Sequence, residues 1–305
     1  MTLQQLRQVL TIAESNSMNE AAKKLFVSQP NLSATVREVE EELGITVFMR
    51  NNRGITVTAE GEEFLGYAKQ VVEQYHLLEN RYLNVESKKK FSVSMQHYSF
   101  AVKAFVQLAK EVGMDEYEFA VHETKTKEVI DNVKNLKSEI GVLYLSDFNE
   151  KVLRKLFKEC DIEFKELFTC NTYVYLWKKH PLAGQKEITL DDLQEYPCLT
   201  FEQGVNNSFY YAEEMMSTYE YKRVIKADDR ATMLNLMVGL NGFTLCSGII
   251  SEDLNGDDYA AIPLKESEKM HIGYIKHKGT KLSKLGEIYI CLLYTSDAAD
   301  DTPCV

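Results

Sequence analysis

The chain has 305 residues, 45% of them hydrophobic, and a formal net charge of −11 at pH 7. This length suffices for two or three domains with cores of their own, and no stretch approaches the roughly 20 apolar residues that span a bilayer. The N-terminal "MTLQQLRQ" lacks the apolar segment of a secretory signal, so we expect a cytoplasmic protein that contacts no membrane. The six cysteines form no CxxC pair, and neither a metal site, a cofactor nor a disulfide framework is indicated.

The negative charge is unevenly distributed along the chain. Up to Lys90 there are eleven basic and twelve acidic residues, a net of −1, which leaves −10 of the total of −11 for the rest. Phosphate contacts need lysine and arginine. A nucleic-acid partner is therefore easier to place on the first ninety residues than on the remainder.

Two short helices are predicted at the N-terminus. Thr2 with Gln5, and Ser17 with Glu20, fit the S/T-x-x-E/Q capping box that satisfies the free amides of a helix start. Apolar residues recur at helical spacing after each box, so both helices can face a common core.

A third helix is predicted from Ser28 to Gly44. Ser28 is its cap, Pro30 falls in the first turn where a missing N–H costs nothing, and Gly44 can end it in a left-handed conformation. Helical spacing predicts one buried face, formed by Leu32, Val36, Val39 and Leu43.

The opposite face of this third helix is typical of a helix that enters a DNA major groove. Small side chains with hydroxyl and amide groups allow close approach to base edges. The candidate residues are Ser28, Gln29, Pro30, Asn31, Ser33, Ala34 and Arg37. The far end of the helix carries four glutamates between positions 38 and 42, which phosphates would repel. We therefore expect the N-terminus, the positive end of the helix dipole, to enter first.

A hairpin is predicted after the third helix. Two β-rich runs, "ITVF" and "ITVT", are separated by "MRNNRG", in which asparagine and glycine favour a turn. Arg50 and Arg53 would lie at its tip, where they suit the minor groove and its phosphates. Taken alone, either arginine is better explained as a solvated residue of a surface hairpin, but after a helix of this shape a DNA contact is favoured. Residues 1–58 together predict a winged helix-turn-helix domain.

One long helix is predicted from Thr58 to about Glu86. Apolar residues at alternating spacings of four and three form a coiled-coil seam: Phe64, Ala68, Val71, Tyr75, Leu78 and Tyr82. A dimer would bury this seam and place two recognition helices on successive major grooves of an inverted-repeat site. The alternative is a long helix packed on its own domain. Residues 59–90 are accordingly assigned as a linker and dimerisation helix.

The stretch "AAKKLFVSQPNLSATVREVEEELGITVFMRNNRGITVTAEGEEFLGYA" resembles the N-terminal domain of LysR-type transcriptional regulators in both residue identities and spacing. "KKHPLAGQKEITLDDLQEYPCLTF" and "RATMLNLMVGLNGFTLCSGI" are similar to the second half of that family's effector-binding domain. The resemblance covers residues 1 to about 293. It implies a homodimer or homotetramer that binds double-stranded DNA, with a two-lobed α/β C-terminal domain like that of periplasmic binding proteins. By residue match, the candidate DNA contacts occupy the recognition helix and wing.

Two departures from the family pattern stand out. The third helix carries Arg37 as its single basic residue, so we expect weak DNA binding by one domain and a larger role for oligomerisation. The final residues 294–305, "YTSDAADDTPCV", resemble translated sequencing-adapter read-through and are expected to be non-native.

Residues 91–293 are predicted to form an α/β regulatory domain, with a second lobe at about 168–265. Short apolar strands alternate with helical stretches, which indicates parallel βαβ units. In such sheets ligands bind at the carboxyl ends of strands, beside helix N-termini. This rule selects the loops 96–99, 123–126 and 144–146 in the first lobe, and 200–207 and 246–248 in the second.

The family resemblance places an effector cleft at the same loops, between the lobes. The candidate effector-binding residues are Gln96, His97, Tyr98, Ser99, Thr124, Lys125, Thr126, Tyr144, Thr200, Phe201, Asn206, Ser247 and Gly248. Hydroxyls and amides at helix starts suit a carboxylate, and a lysine adds positive charge. The same hydroxyls are also explained as ordinary N-caps. Arg230, in "ADDRAT", is either a ligand contact or an ion-pair partner of the adjacent aspartates.

"FSVSMQHYSF" and "SEIGVLYL" resemble a subgroup of these regulators, from low-GC Gram-positive bacteria, that governs sulfur amino-acid acquisition. This resemblance motivates the hypothesis of a small amino-acid-like or carboxylate effector.

Three other functions were compared with this one. No G-x-S-x-G, H-E-x-x-H, P-loop or G-x-G-x-x-G motif occurs, so we expect no enzyme. A redox-sensing regulator that switches through cysteines, with Cys160 and Cys170 as the pair, is the alternative within the family. A pure solute-binding protein is opposed by the N-terminal ninety residues.

Overall fold

The computed structural model describes residues 1–15, 17–51, 54–82, 88–113, 116–204 and 208–295. The chain divides into two units, Met1–Ser87 and Lys88–Val305. In this part of the chain no helix combines the length and apolarity needed to cross a lipid bilayer.

The N-terminal unit begins with three helices, α1 (Leu3–Ala13), α2 (Met18–Lys24) and α3 (Gln29–Leu43). Their predicted caps are confirmed: the Thr2, Ser17 and Ser28 side chains each accept a hydrogen bond from the backbone N–H three residues on. Gly44 ends α3 with φ of 70°, a left-handed conformation that glycine adopts without strain.

The core of this unit lies between the three helices. Leu32, Val36 and Val39 of α3 are buried in a cluster with residues of α1 and α2. Leu43, which was predicted on the same buried face, is 38% exposed. That prediction is wrong because the helix ends at Leu43, and the buried face stops one turn earlier.

A hairpin follows, formed by β1 (Phe48–Asn51) and β2 (Gly54–Val57), which pair antiparallel. The helix α4 (Ala59–Tyr82) begins directly after it. Its first turn packs closely on the chain before β1, because a Cβ on Gly61 would lie 2.3 Å from the Val47 carbonyl oxygen. Glycine at this position therefore permits the junction between hairpin and helix.

The predicted seam of α4 divides between two environments. Phe64 and Ala68 pack inside the unit, against Leu6 of α1. Val71, Tyr75 and Leu78 are 51%, 39% and 56% exposed. The prediction of one continuous dimer seam is thus wrong for its first two residues, because α1 already covers them. The side chain of Tyr82 lies outside the described residues.

The C-terminal unit contains the remaining strands and helices. The strands are β3 (Lys89–Met95), β4 (Tyr117–Glu123), β5 (Ile140–Leu145), β6 (Ile162–Cys170), β7 (Tyr173–Trp177), β8 (Cys198–Phe201), β9 (Val224–Ala227), β10 (Thr244–Cys246), β11 (Tyr259–Pro263) and β12 (Met270–His277). The helices are α5 (Ser99–Val112), α6 (Thr126–Lys134), α7 (Glu150–Glu159), α8 (Leu190–Leu193), α9 (Arg230–Leu240), α10 (Glu252–Asn255) and α11 (Lys284–Thr295). Of the tail predicted to be non-native, residues 294–295 belong to α11, and residues 296–305 lie outside the described residues.

The strands of the C-terminal unit form two lobes. Within the described residues, the first-lobe sheet has the order β4-β3-β5-β12-β6, and the second lobe has sheets of order β10-β7-β11 and β8-β9. The chain leaves the first sheet after Cys170 and returns to it at Met270. The expected parallel pairing holds for β3 with β4 and β5, and for β8 with β9. It is wrong for the pairs β12 with β5 and β6, and β7 with β10 and β11, which are antiparallel. In the first sheet the antiparallel strand is β12, which the chain enters on its return from the second lobe.

Strand β5 is buried along its whole length. Ile140, Val142 and Tyr144 face a core that includes α5 and α11, whereas Leu143 and Leu145 face a core that includes α6 and α7. Helices on both faces explain why this strand has a continuous apolar sequence rather than an alternating one.

Candidate nucleic-acid interface and interlobe cleft

The N-terminal half of α3 presents the predicted polar residues on one outward surface. Ser28, Pro30, Asn31, Ala34 and Arg37 are exposed. The remaining two, Gln29 and Ser33, are half-buried and joined to each other, since Gln29 Nε2 donates to Ser33 Oγ at 2.8 Å. All seven residues lie between the N-cap of α3 and Arg37, and none of them is buried.

The two wing arginines are described to different extents. Arg50 belongs to β1, where it pairs with Ile55, but its side chain lies outside the described residues. Arg53 lies wholly outside them.

The acidic end of α3 has structural roles that the sequence pattern did not predict. Glu40 Oε1 accepts hydrogen bonds from the backbone N–H groups of Val47 at 2.7 Å and Phe48 at 3.0 Å. Glu38 accepts from the Gln5 side chain at 3.0 Å. These carboxylates attach α1 and the start of the hairpin to α3, so they fix the orientation of α3 within the unit.

Phe26 is a residue of this surface that sequence reasoning missed. It lies in the turn between α2 and α3, is 97% exposed and has φ of 54°. A single exposed apolar side chain needs no explanation by itself, but this one lies directly before the N-terminus of α3. From its place between Leu25 and Val27 we could infer only that Phe26 lies in the turn. Hydrophobic periodicity identifies buried faces and gives no signal for an exposed aromatic residue.

In the interlobe cleft, the first-lobe donors predicted to bind a ligand are bonded to the chain itself. The Thr126 backbone N–H donates to Gln203 Oε1 at 3.2 Å, and its hydroxyl donates to the Tyr211 carbonyl at 2.7 Å. The Tyr144 hydroxyl donates to the Ala212 carbonyl at 3.0 Å. Described residues of the stretch 203–214, from the second lobe, thus fill the position that was predicted for an effector carboxylate.

A buried carboxylate of the same stretch binds His97. Glu213 Oε2 accepts from the His97 backbone N–H at 3.1 Å and lies 2.7 Å from its ring Nδ1. Glu213 Oε1 accepts from Gln203 Nε2 at 2.9 Å. The His97 ring stacks on Phe201 with 3.6 Å between ring centroids. This cluster joins the two lobes at the floor of the cleft.

Beside this cluster lies a cavity of about 80 Å³. It brings together five of the predicted effector residues, His97, Tyr98, Ser99, Phe201 and Ser247. Its walls are mostly apolar and come from β7, β10 and α9 of the second lobe. Strand ends and helix starts of both lobes therefore meet around one small space, as the rule for open α/β sheets predicts.

The other predicted effector residues lie outside the cavity lining. Gln96 is buried, and its side-chain amide donates to the Thr126 hydroxyl at 2.5 Å. Thr124 bonds Glu128, one turn along α6, and the Lys125 amine lies 3.7 Å from Asp228. Thr200 pairs with Lys226 in the β8-β9 sheet, and Gly248 packs on the Tyr173 ring. Asn206 lies outside the described residues.

Arg230 lines the cavity and forms an ion pair with Glu123. Glu123 ends β4 in the first lobe, whereas Arg230 begins α9 in the second. The pair therefore links the lobes. Of the two alternatives for Arg230, the pairing with the adjacent aspartates is not the one formed, because Asp229 instead caps α9 by accepting from the Thr232 N–H.

The acidic pair Glu213 and Glu214 is the part of the cleft that sequence reasoning missed. Both side chains are buried and line the cavity. Burial, and then the charge of Glu213, raises the pKa of Glu214 to about 8. The available signal was two adjacent acids within the apolar sequence "FYYAEEMM", where charged side chains are otherwise unexpected.

Two protein-family models match the chain. One, described as a bacterial regulatory helix-turn-helix protein of the lysR family, matches residues 3–62, and the other, described as a LysR substrate binding domain, matches residues 96–288. The HTH-type transcriptional regulator CysL of Bacillus subtilis is 25% identical over 300 residues, which cover 94% of this chain and 95% of CysL.

Solved structures of similar fold include a full-length cysteine variant of OxyR from Pseudomonas aeruginosa, with a TM-score of 0.68 and 19% identity over 97% of this chain and 94% of that one. Full-length CbnR in complex with its target DNA gives a TM-score of 0.59 and 18% identity over 97% of this chain and 100% of that one. At these identities the solved structures establish the fold alone.

Proposed function

The chain belongs to the LysR family of transcriptional regulators, and from this premise we propose how its described surfaces bind DNA and respond to an effector. It is a DNA-binding regulator with an effector-binding domain, and such regulators act as oligomers on operator DNA. Because the family is one of regulators, we assign no catalytic role. A protein that acts on chromosomal DNA belongs in the bacterial cytoplasm.

The exposed face of α3 is the surface that we assign to the major groove, and its polar N-terminal half is the observation that carries this assignment. Hydroxyl and amide groups at positions 28–33 can reach base edges, and Arg37 can bind phosphate or guanine. Phe26, beside the N-terminus of α3, offers an apolar surface to thymine methyl groups or sugars. Arg50 and Arg53 are assigned to the wing contact with the minor groove and its phosphates.

The test of this assignment is the salt dependence of DNA binding by the full-length protein. Replacing Arg37 or Arg53 with Ala should weaken operator binding and make the slope of affinity against salt shallower by about one phosphate contact. Arg223→Ala is the matched control, because Arg223 is an exposed arginine of the other unit. A slope unchanged in both Arg37→Ala and Arg53→Ala contradicts the assignment.

The exposed apolar stripe of α4, formed by Val71, Tyr75 and Leu78, supports assembly with a second copy of the chain. These residues follow the spacing of four and three that allows two helices to pack along a seam. Two paired α4 helices would present two α3 helices to an inverted-repeat operator. We further propose that effector-dependent closure of the two lobes changes the angle between dimers and thereby the bend of the DNA.

The cysteine geometry argues against the redox alternative. Cys160 precedes the nine-residue strand β6 and Cys170 ends it, so about 3.3 Å per residue separates their Cα atoms by roughly 25 Å. A disulfide needs Cα atoms within about 7 Å. Burial also raises the pKa of the Cys160, Cys198 and Cys246 thiols, whereas a sensing thiol needs a lowered one. We therefore favour a small-molecule effector.

A further inference from the structure

Donors of His97 and Thr126, two of the residues predicted to recognise an effector carboxylate, are already occupied by the chain. Glu213 takes both the backbone N–H and the ring nitrogen of His97. Gln203 and the Tyr211 carbonyl take the backbone N–H and the hydroxyl of Thr126. An anionic ligand would have to displace an internal carboxylate from a buried site, which costs the hydrogen bonds that this carboxylate makes.

The cavity beside these donors has the opposite polarity. Glu214 lines it, and its Oε1 accepts from the Phe201 backbone N–H at 2.8 Å. Among the described residues Glu214 has no ion-pair partner, and the two basic side chains of the lining are committed elsewhere. His97 is bound to Glu213, and Arg230 to Glu123. The buried acid therefore has no counter-ion of its own in the cavity wall.

A second feature of the cavity is an independent indication of a polar ligand group. Thr244 is 6% exposed and lines the cavity, and its hydroxyl has no hydrogen-bond partner among the described residues. Buried polar groups are normally hydrogen-bonded, so an unpartnered hydroxyl here marks a position where a ligand or water belongs. The rest of the wall is apolar and includes Met233, Met237 and Leu245.

We propose that this cavity binds a small primary ammonium with an apolar tail, with Glu214 as its counter-ion and Thr244 as a hydrogen-bond partner. The inference rests on the proposed effector function of the cleft and names the ligand class. At 10–15 Å³ for each water position, about 80 Å³ holds a molecule of roughly five to eight non-hydrogen atoms. The apolar wall would receive the tail, and burial of that tail supplies most of the binding free energy.

The protonation state of Glu214 gives the proposal a second observable. Because burial raises its pKa to about 8, Glu214 is protonated in the empty cavity at neutral pH, and ammonium binding would ionise it and release one proton. The titratable groups that interact with this carboxyl electrostatically are Glu213 on its own segment, Tyr98 and Tyr144 from the first lobe, and Cys198 and Tyr221 from the second. Of these, the tyrosines and Cys198 have raised pKa values and stay neutral.

The test is calorimetric titration of the full-length protein with three probes of one shape: 3-methylbutylamine, 3-methylbutanol and 3-methylbutanoate. The amine should bind at least about tenfold more tightly than the carboxylate, because only the amine can pair with Glu214. Its heat of binding at pH 7 should vary with the ionisation enthalpy of the buffer, which reports the released proton.

Glu214→Gln is the decisive variant, since glutamine keeps the acceptor for the Phe201 N–H and resembles the neutral acid. It should weaken the amine about tenfold, leave the alcohol unchanged and abolish the buffer dependence. The control is Glu220→Gln, because Glu220 is exposed and lies, like Glu214, in the segment between β8 and β9. It should change neither the affinities of the amine and the alcohol nor the buffer dependence.

Tighter binding of the carboxylate, no amine binding at millimolar concentration, or amine affinity unaffected by Glu214→Gln overturns the proposal. The DNA-binding assay of the same preparations separates this failure from failure of the regulator assignment. If the protein still binds operator DNA but does not bind the amine, only the proposed ligand class is contradicted.

Discussion

The two units differ in how their functional residues relate to their cores. In the N-terminal unit, α3 buries Leu32, Val36 and Val39 on one face and leaves the candidate DNA contacts on the other. In the C-terminal unit, several candidate ligand contacts, among them Thr126 and Tyr144, are themselves buried and bonded across the two lobes. We therefore expect function and stability to be separable in the first unit and coupled in the second.

The largest expected effect tests the separation on α3. Leu32→Ala removes a fully buried side chain from the three-helix core and should lower the free energy of unfolding of the N-terminal unit by about 2–5 kcal/mol, from lost burial and the cavity left behind. Arg37→Ala, on the opposite face, should change it by less than about 0.5 kcal/mol. Denaturant unfolding measures both changes. A comparable loss of stability in Arg37→Ala would contradict the separation of function and stability on α3.

The next effect tests the coupling in the cleft. The pKa of Glu214 is about 8 in the folded protein against a usual 4.5, so between these values the folded state holds a proton that the unfolded state has lost. The free energy of unfolding of the wild type therefore falls as pH rises from about 4.5 to 8. In Glu214→Gln no carboxyl has to stay protonated on folding, so its free energy of unfolding does not fall in this way. At pH 8 the variant should be more stable than the wild type, by up to about 4 kcal/mol.

Thermal unfolding at pH 5 and pH 8 measures this difference. The stabilisation of Glu214→Gln should be larger at pH 8 than at pH 5, whereas Glu220→Gln should track the wild type. Equal shifts at both pH values would show that ionisation of Glu214 does not oppose folding.

The smallest effect sharpens the comparison within the N-terminal unit. Glu40→Ala removes the acceptor for the Val47 and Phe48 N–H groups and should cost about 1–3 kcal/mol. It should also weaken DNA binding indirectly, because the wing loses its attachment to α3. Glu41→Ala, an exposed neighbour, is the control, and equal stabilities of the two variants would contradict the anchoring role.

The N-terminal surface was largely predictable because local rules govern it. Ser28 and Gly44 mark the ends of α3, and residues on one helical face are found by counting along the chain. One error, at Leu43, arose because the helix ends there, and the other arose where a second element intervened. Phe64 and Ala68 fit a dimer seam by spacing, yet α1 covers them, and no count along one helix can reveal a neighbour.

The sequence alone determined the N-terminal helices with their caps, the hairpin, the buried face of α3 and several of the loops that meet in the cleft, because caps and periodicity depend on nearby residues. Only the tertiary structure decided that Glu213 and Glu214 occupy this cleft, that Arg230 pairs with Glu123 and that Thr126 is already bonded. These contacts join residues more than 70 positions apart, and they depend on the two lobes closing on each other. Which groups remain for a ligand is fixed by that closure.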